Sequence, residues 1–567
     1  MTGDGSAHIS KNNQNQHKDR FKFIVNDKSI LGPQWLSLYQ TDGKVTFAKS
    51  HFEQAMMNVI REPNINSTVI LRADILKEIN HAAEAGSEPK FDESVLKKFE
   101  IDNGNESGEE DVKKINIEDL NIRSCETSES LKLSPVHEFV RRIIPRNFYK
   151  DAIINQTCLI LNSKDPNFQE TSLIVYTPHI NSEKDCPFYI PRTQSVGILL
   201  HQSVLSVHYI PFPEDKTAFT DESERVVRTA YRLLQTANKH SKGVMQGYEK
   251  RVNHDQVVNK VNFQNTYIVL KKKYSKFLVE NWAESTDPKK HVFEDIAIAA
   301  FLIELWIKVY GPDFRSKMQF RDLGCGNGAL CYILLSESIK GLGIDARKRK
   351  SWSIYPPEVQ SSLKEQVIIP SILLRPHPAL KRQVPHLEHN GRFFPVKVTH
   401  EVIAPATVVY SSEDLLKSPQ VNTAEFPPDT FIIGNHSDEL TCWIPLLGHP
   451  YMVIPCCSHN FSGQRVRFNV RKRSPRSNEI KNQNNSKSTY SGLVDHVEYI
   501  SSRVGWKVEK EMLRIPSTRN AAIIGVENAT LKHFPTQAVY DMIWEDGGAE
   551  GWIQNTMSLL KRNPRNH

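Results

Sequence analysis

The residues with the most chemical content fall in four short segments of a 567-residue chain. Asp322-Leu323-Gly324-Cys325-Gly326-Asn327-Gly328 lies between a predicted strand (318–323) and a predicted helix (329–338). Glycines at such a turn let the backbone bend sharply and come close to a ligand. The G-x-G-x-G spacing is one residue shorter than the G-x-G-x-x-G that cradles a dinucleotide pyrophosphate, which disfavours an NAD-type dehydrogenase. Asp345 ends the next predicted strand, 23 residues after Asp322, where a carboxylate can accept from both hydroxyls of a ribose. His436, Asp438 and Glu439 follow a predicted strand at 430–434; such groups suit proton removal from a hydroxyl, or its orientation. The competing reading is a helix N-terminus, with Asn435 or Ser437 as cap and the two acids complementing the dipole. Cys456-Cys457-Ser458-His459 follows the strand at 451–455. Adjacent cysteines are poor joint ligands and no C-x-x-C pair is present, so no metal site is expected; the segment reads as a tight turn lining a cleft.

The elements that must position these groups are alternating strands and helices. Asp287 and Pro288 start a helix whose apolar face is Val292, Ile296, Ala299, Ile303, Trp306 and Tyr310, ended by Gly311-Pro312. Strands at 318–323, 341–345, 430–434 and 451–455 then imply a parallel, doubly wound sheet. Segments 505–515 and 520–527 read as a terminal antiparallel hairpin. Upstream, 155–162, 171–177 and 197–210 read as strands, and 256–282 as a helix. The expected organisation is a disordered tail over 1–20, a small mixed region over 21–80, an acidic linker over 81–135 and an accessory α+β region over 136–285. A catalytic α/β domain follows over 286–535, with an irregular Pro-rich insertion at 355–428, then a helical segment over 536–567.

Composition narrows the function classes. Apolar residues make up 39% of the chain, and eight cysteines are too sparse for a disulfide scaffold. The N-terminus carries no apolar signal segment, and Glu294, Asp295, Glu304 and Lys308 interrupt the most apolar helix, so a reduced, intracellular protein without a membrane span is expected. The net charge of +7 is uneven: residues 81–130 hold 14 acidic and 6 basic residues, leaving +15 on the rest. Two basic runs, Arg347-Lys348-Arg349-Lys350 and Arg465, Arg467, Arg471, Lys472, Arg473, leave the same rim of the sheet as the chemical segments. They are expected to contact phosphates.

A terminal hairpin on a parallel sheet distinguishes a class I methyltransferase from a dinucleotide-binding domain, and the shorter glycine loop preceded by an acid resembles the S-adenosylmethionine loop. The expected fold is therefore a class I S-adenosylmethionine-dependent methyltransferase, Rossmann-like with a mostly parallel sheet, plus an N-terminal α+β region. Asp322, Gly324, Cys325, Gly326, Asn327, Gly328, Asp345 and Asn435 are the expected cofactor contacts. The N/D-P-P-F/Y tetrapeptide of amino-directed adenine methyltransferases is absent, which argues against adenine N6 chemistry.

Read together, the chain resembles the eukaryotic tRNA uridine-2'-O-methyltransferases that modify uridine 44 of serine tRNA, in particular the fungal members. The resemblance is carried by Val292–Ala300 with Leu305-Trp306, Arg321–Gly328, Gly343–Trp352, Ile433–Trp443 (IGNHSDELTCW) and Ile454–Cys457. It implies S-adenosylmethionine, a cytoplasmic tRNA substrate, and no role for DNA or membrane. Some relatives carry a C-terminal CCCH zinc finger; no cysteine follows Cys457, so none is expected. The implied reaction is direct transfer, with the uridine 2'-hydroxyl attacking the sulfonium methyl while His436 or Asp438, and less favourably Glu439, handles the proton. The alternatives are a methyltransferase acting on another RNA position or on protein, or a non-catalytic RNA-binding scaffold with this fold.

Overall fold

The computed structural model describes residues 21–26, 29–81, 89–91, 113–147, 150–213, 219–248, 254–400, 403–470, 488–528 and 536–560. The chain divides into two compact units, 1–249 and 250–567. The expected tail over 1–20 and the residues Arg471, Lys472 and Arg473 lie outside the described residues. Among the described residues no helix is long and apolar enough to cross a membrane.

The first unit is built on one ten-stranded sheet. Its strands are β1 (Phe21–Asn26), β2 (Leu36–Thr41), β3 (Ile70–Asn80), β4 (Lys90–Phe91), β5 (Lys114–Ile115), β6 (Leu133–Pro145), β7 (Ile153–Ser163), β8 (Ser172–Pro178), β9 (Ser195–His201) and β10 (Val204–Ile210). The order is β1-β2-β10-β9-β8-β7-β6-β3-β4, antiparallel along this path, with β5 parallel to β7. Helix α1 (Lys49–Arg61) and helix α2 (Arg225–Met245) cover it. Val227, Ala230, Leu234 and Ala237 recur at helical spacing on α2 and join the sheet's core.

This sheet changes two sequence expectations. Residues 21–80 are not a separate region, because β2 pairs with β10 and β3 with β6. The second half of the expected acidic linker is packed structure. Asn155 Nδ2 donates to the carbonyls of Ile117 (2.8 Å) and Asp119 (3.0 Å), and Trp35 Nε1 donates to Glu126 O (3.0 Å). Polar anchors of this kind satisfy backbone carbonyls without leaving a hydrophobic period in the sequence.

The second unit begins earlier than expected. Helix α3 (Lys260–Glu280), expected in the accessory region, belongs here and shares a core with helix α4 (Pro288–Tyr310). Asp287 caps α4 by accepting from Lys289 N at 3.0 Å, with Pro288 in the first turn and Gly311 (φ 90°) at its end. The remaining strands and longer helices are β11 (Gln319–Leu323), α5 (Ala329–Ser336), β12 (Gly341–Asp345), β13 (Leu363–Glu365), β14 (Val367–Ile368), β15 (Phe393–His400), β16 (Ile403–Ser411), β17 (Val421–Asn422), β18 (Thr430–Asn435), β19 (Tyr451–Ile454), α6 (Thr489–Arg503), β20 (Trp506–Met512), β21 (Ala521–Asn528), α7 (Thr536–Glu545) and α8 (Trp552–Leu559).

A seven-stranded sheet runs β13-β12-β11-β18-β19-β21-β20. The first five strands are parallel, and β21 is antiparallel to both neighbours. Successive residues face opposite layers. Phe431, Ile433, Met452, Ile454, Ala522 and Ile524 join α3, α4 and α5 on one face. Ile432, Tyr451, Val453, Ala521 and Ile523 join α6, α7 and α8 on the other. The segment 355–428 is not wholly irregular: β13 is the edge strand of the main sheet, β14 pairs with β17, and β15 with β16 forms a hairpin. Nor is 536–560 an appendage, since Val539, Met542, Trp552 and Met557 complete the second core layer.

Candidate active site

The carboxyl ends of β11, β12, β18 and β19 open onto one cleft of about 510 Å³. This is the rim where ligands of parallel α/β sheets bind. Asp322, Gly324, Cys325, Gly326, Asn327, Asp345, Asn435, His436, Asp438 and Glu439 all line it.

The glycine loop takes its shape from left-handed backbone at Gly324 (φ 80°), Gly326 (φ 52°) and Gly328 (φ 77°). A Cβ at Gly324 meets Ser437 Cα at 3.4 Å, whereas at Gly326 it meets no protein atom within 4 Å. Gly328 does not line the cleft; it precedes α5 and packs toward Leu363. Asp345 ties the loop down: its Oδ2 accepts from Gly326 N and its Oδ1 from Arg347 N, both at 3.0 Å. Trp352 Nε1 donates to Gly326 O (2.8 Å) and the Tyr355 hydroxyl to Asn327 O (3.0 Å).

Helix α4 supplies two carboxylates to which the sequence reading gave no site role. Asp295 Oδ1 accepts from Asn435 Nδ2 at 3.1 Å, and Glu294 Oε1 lies 3.0 Å from His436 Nε2. Both acids are buried. Burial, then the charges of Glu294 and Asp322, raises the Asp295 carboxyl well above the usual range. Burial pushes Asp322 up to about 7, with Cys331 opposing by donating to its Oδ2 at 3.4 Å. An acidic pair in the most apolar helix of the chain, beside a long apolar run, was the available signal for both, since charges are rarely buried without a role. Lys290, His291, Arg519, Trp552 and Thr556 also line the cleft, and their sequence surroundings carried no motif.

Among the described residues, several buried polar atoms here have no hydrogen-bond partner: Asp322 Oδ1, Asn435 Oδ1, His436 Nδ1 and Ser437 Oγ. Buried polar groups are normally paired, so these point to a polar ligand. Together with the open side of Gly326 and a cleft rich in carboxylates, they fit a cationic, nucleoside-bearing group such as S-adenosylmethionine. His436 (φ 52°) and Asp438 (φ 45°) stand in left-handed backbone, a conformation non-glycine residues hold at a cost and often at functional sites.

Cys456 Sγ donates to Asp438 Oδ1 at 2.9 Å, and the Arg519 guanidinium lies 3.6 Å from Cys457 Sγ. Sulfur and carboxylate atoms of Asp438, Cys456 and Cys457 lie within 4.8 Å of one another, a spacing that an ion could bridge. Arg519 already places a positive charge against this group. Among the expected RNA contacts, Arg347 and Arg349 line the cleft, Lys348 and Lys350 are exposed beside it, and Arg465 and Arg467 are exposed beyond Cys457.

Comparison with known proteins agrees with this geometry. Residues 10–251 match the family described as TRM44-like, N-terminal bet v1-like domain, and residues 257–370 match the family described as predicted AdoMet-dependent methyltransferase. The second unit thus carries an S-adenosylmethionine-dependent methyltransferase domain. Relatives named tRNA (uracil-O(2)-)-methyltransferase align along almost the whole chain. The one from Kluyveromyces lactis is 64% identical, covering 96% of this chain and 99% of the relative. That from Candida glabrata is 62% identical over 96% and 98%, and that from Schizosaccharomyces pombe 35% over 94% of each. The chain belongs to this fungal family of tRNA (uracil-O(2)-)-methyltransferases, as the motifs implied.

Proposed function

We propose that this chain is a class I methyltransferase that transfers a methyl group from S-adenosylmethionine to the 2'-hydroxyl of uridine 44 in serine tRNA, in the cytoplasm. The observation that carries the reading is the coincidence of full-length similarity to tRNA (uracil-O(2)-)-methyltransferases with a cleft that joins the glycine loop to His436 and Asp438. The strand order, with β21 antiparallel between β19 and β20, supports the class I assignment.

S-adenosylmethionine, when bound, supplies a sulfonium methyl that needs no metal or covalent intermediate for transfer to oxygen. Asp345, already oriented by two backbone N–H groups, would hold the ribose hydroxyls, and the glycine loop with Asn435 would hold the remainder. Asp322, ionised above about pH 7, would place a carboxylate where a cation is attracted, and Asp295, which holds its proton more tightly, orients Asn435. His436 is the favoured proton acceptor. With Nε2–H donating to Glu294, its Nδ1 lone pair is left for a hydroxyl. Asp438 ranks second because one oxygen already accepts from Cys456. Glu439 ranks third, its carboxylate lying 4.0 Å from His459.

Arg347, Lys348, Arg349, Lys350, Arg465 and Arg467 form the proposed phosphate-binding rim, and Arg471, Lys472 and Arg473, which follow in the sequence, are proposed as further phosphate contacts. Neutralising Arg471, Lys472 and Arg473 together is expected to make the fall of tRNA affinity with salt less steep; an unchanged slope in a filter-binding titration removes that segment from the rim. The decisive test of the whole reading is nucleoside mass analysis of serine tRNA from cells lacking this chain. Loss of one 2'-O-methyluridine is expected, and its persistence overturns the assignment.

A further inference from the structure

Cys456 and Cys457 take no part in the reaction as proposed, yet they stand in the wall between two hollows. One is the cleft; the other, of about 450 Å³, is also lined by Arg465, Tyr490 and Arg519. Both cysteines are partly exposed and free, unlike the buried Cys158, Cys331 and Cys442. Cys456 gives its S–H to Asp438, and Arg519 donates both to the Cys456 carbonyl and toward Cys457 Sγ. A guanidinium against a sulfur favours its thiolate form. Consistently, the close Cys456 sulfur, helped by Arg519 and opposed by burial and Asp438, lowers the Cys457 thiol below its ordinary range, while the proximity of Cys457, burial and Asp438 raise Cys456. An accessible thiolate beside a second thiol is the arrangement of a redox-sensing pair.

We propose that Cys456 and Cys457 form a hydroperoxide-sensitive dithiol whose oxidation turns off methyl transfer. The Cys457 thiolate attacks one peroxide oxygen, the O–O bond breaks, hydroxide leaves and a sulfenic acid forms. Cys456 sulfur then attacks that sulfur; the S–S bond forms, the S–O bond breaks, and the hydroxyl leaves with the Cys456 proton as water. Two electrons pass from the sulfurs to the peroxide. The product deprives Asp438 of its S–H donor and Arg519 of its thiolate, disturbing the floor of the cleft. Adjacent residues sit with Cα atoms about 3.8 Å apart, closer than the roughly 4.4–6.8 Å of ordinary disulfides, so the ring is strained and thiols reopen it readily.

The thiol chemistry stands apart from the identity of the methylated nucleoside; only the loss of methyl transfer rests on the proposed function. The full-length chain is reduced, treated with hydrogen peroxide, and split between peptide mass mapping, S-adenosylhomocysteine calorimetry and a methyl-transfer assay. The expected result is loss of two hydrogens on the peptide holding Cys456 and Cys457 ahead of the other cysteines. Methyl transfer falls at least tenfold, and dithiothreitol reverses both changes. Cys456→Ser is expected to stop at a Cys457 sulfenic acid that a dimedone probe labels. Arg519→Met is expected to slow alkylation of Cys457 about tenfold at neutral pH, with Arg519→Lys retaining most of the rate. Oxidation elsewhere first, full activity and unchanged ligand binding in the oxidised protein, or an unaltered rate in Arg519→Met each overturn the proposal. The mass map decides the dithiol even if another RNA proves to be the substrate.

Discussion

His208 in the first unit and His436 in the second are held in opposite ways. His208 is fully buried, and both ring nitrogens are occupied: Nδ1 lies 2.9 Å from the Ser29 and Ser37 hydroxyls, and Nε2 lies 2.8 Å from Ser206 Oγ. His179 in the same sheet is similar, with Thr157 at 2.8 Å and the Asp119 carbonyl at 3.0 Å. His436 has one nitrogen on Glu294 and the other, buried, without a partner among the described residues. The difference teaches how to separate a histidine that completes a fold from one proposed to meet a substrate. The residue type is the same, and the vacancy in the hydrogen-bond set distinguishes them.

Breaking the comparison at its functional end has the largest expected effect. His436→Ala should lower kcat about 10²–10⁴-fold while calorimetry shows unchanged cofactor affinity, and Glu294→Gln should lower it less. A His436→Ala enzyme that turns over normally transfers the proton role to Asp438, to be tested by Asp438→Ala. Next in size, Asp345→Ala should weaken cofactor binding about a hundredfold, because a charged acceptor of several N–H and hydroxyl groups is lost; normal affinity breaks the ribose assignment.

At the structural end, His208→Leu leaves three buried hydroxyls without their partner and should cost about 1–3 kcal/mol of stability, read by denaturant unfolding, with no change in cofactor affinity. The pH dependences of the two units sharpen the contrast. Burial lowers His208 to about 3 and His179 to about 4, so their contribution is present above about pH 6.5 and lost as pH falls through the folded values. Asp322 is raised to about 7. Its contribution is present below about pH 4 and lost as pH rises toward 7. The smallest expected effect follows from that sign. Asp322→Asn should raise the melting temperature by a few degrees at pH 7.5 and not at pH 4, while weakening cofactor binding; a lower melting temperature at both pH values refutes the charge argument.

The parts of this structure that were legible in the sequence are those that local geometry enforces. The Asp322–Gly328 turn needs glycine at three left-handed positions, Asp287-Pro288 marks a helix start, and Pro516-Ser517-Thr518 separates two strands that do form a hairpin. What escaped depends on partners distant in the chain. The pairing of β2 with β10 joins residues more than 160 positions apart, and no local pattern announces it. β13 is only three residues long, too short for a periodicity to emerge. Glu294 and Asp295 look like solvated charges until α4 is seen enclosed between the sheet and α3, where Glu294 meets His436 and Asp295 meets Asn435. The four segments singled out in the sequence converge on one cleft because parallel strands all end on one edge. That convergence is a property of topology, which the alternation of strands and helices did reveal.

The cleft draws its walls from residues as far apart in the chain as Glu284 and Leu559, with the glycine loop between them. During synthesis, therefore, a ribosome that has already delivered the loop, Asp345 and His436 has not yet delivered a complete pocket. The unit acquires its ligand site only when α8 docks and Trp552 bonds to the Ile368 carbonyl at 3.2 Å. Cofactor capture thus depends on delivery of α8. Prematurely terminated chains, although they carry every recognisable motif, are expected to remain empty and to be left without the stabilisation that a bound ligand confers.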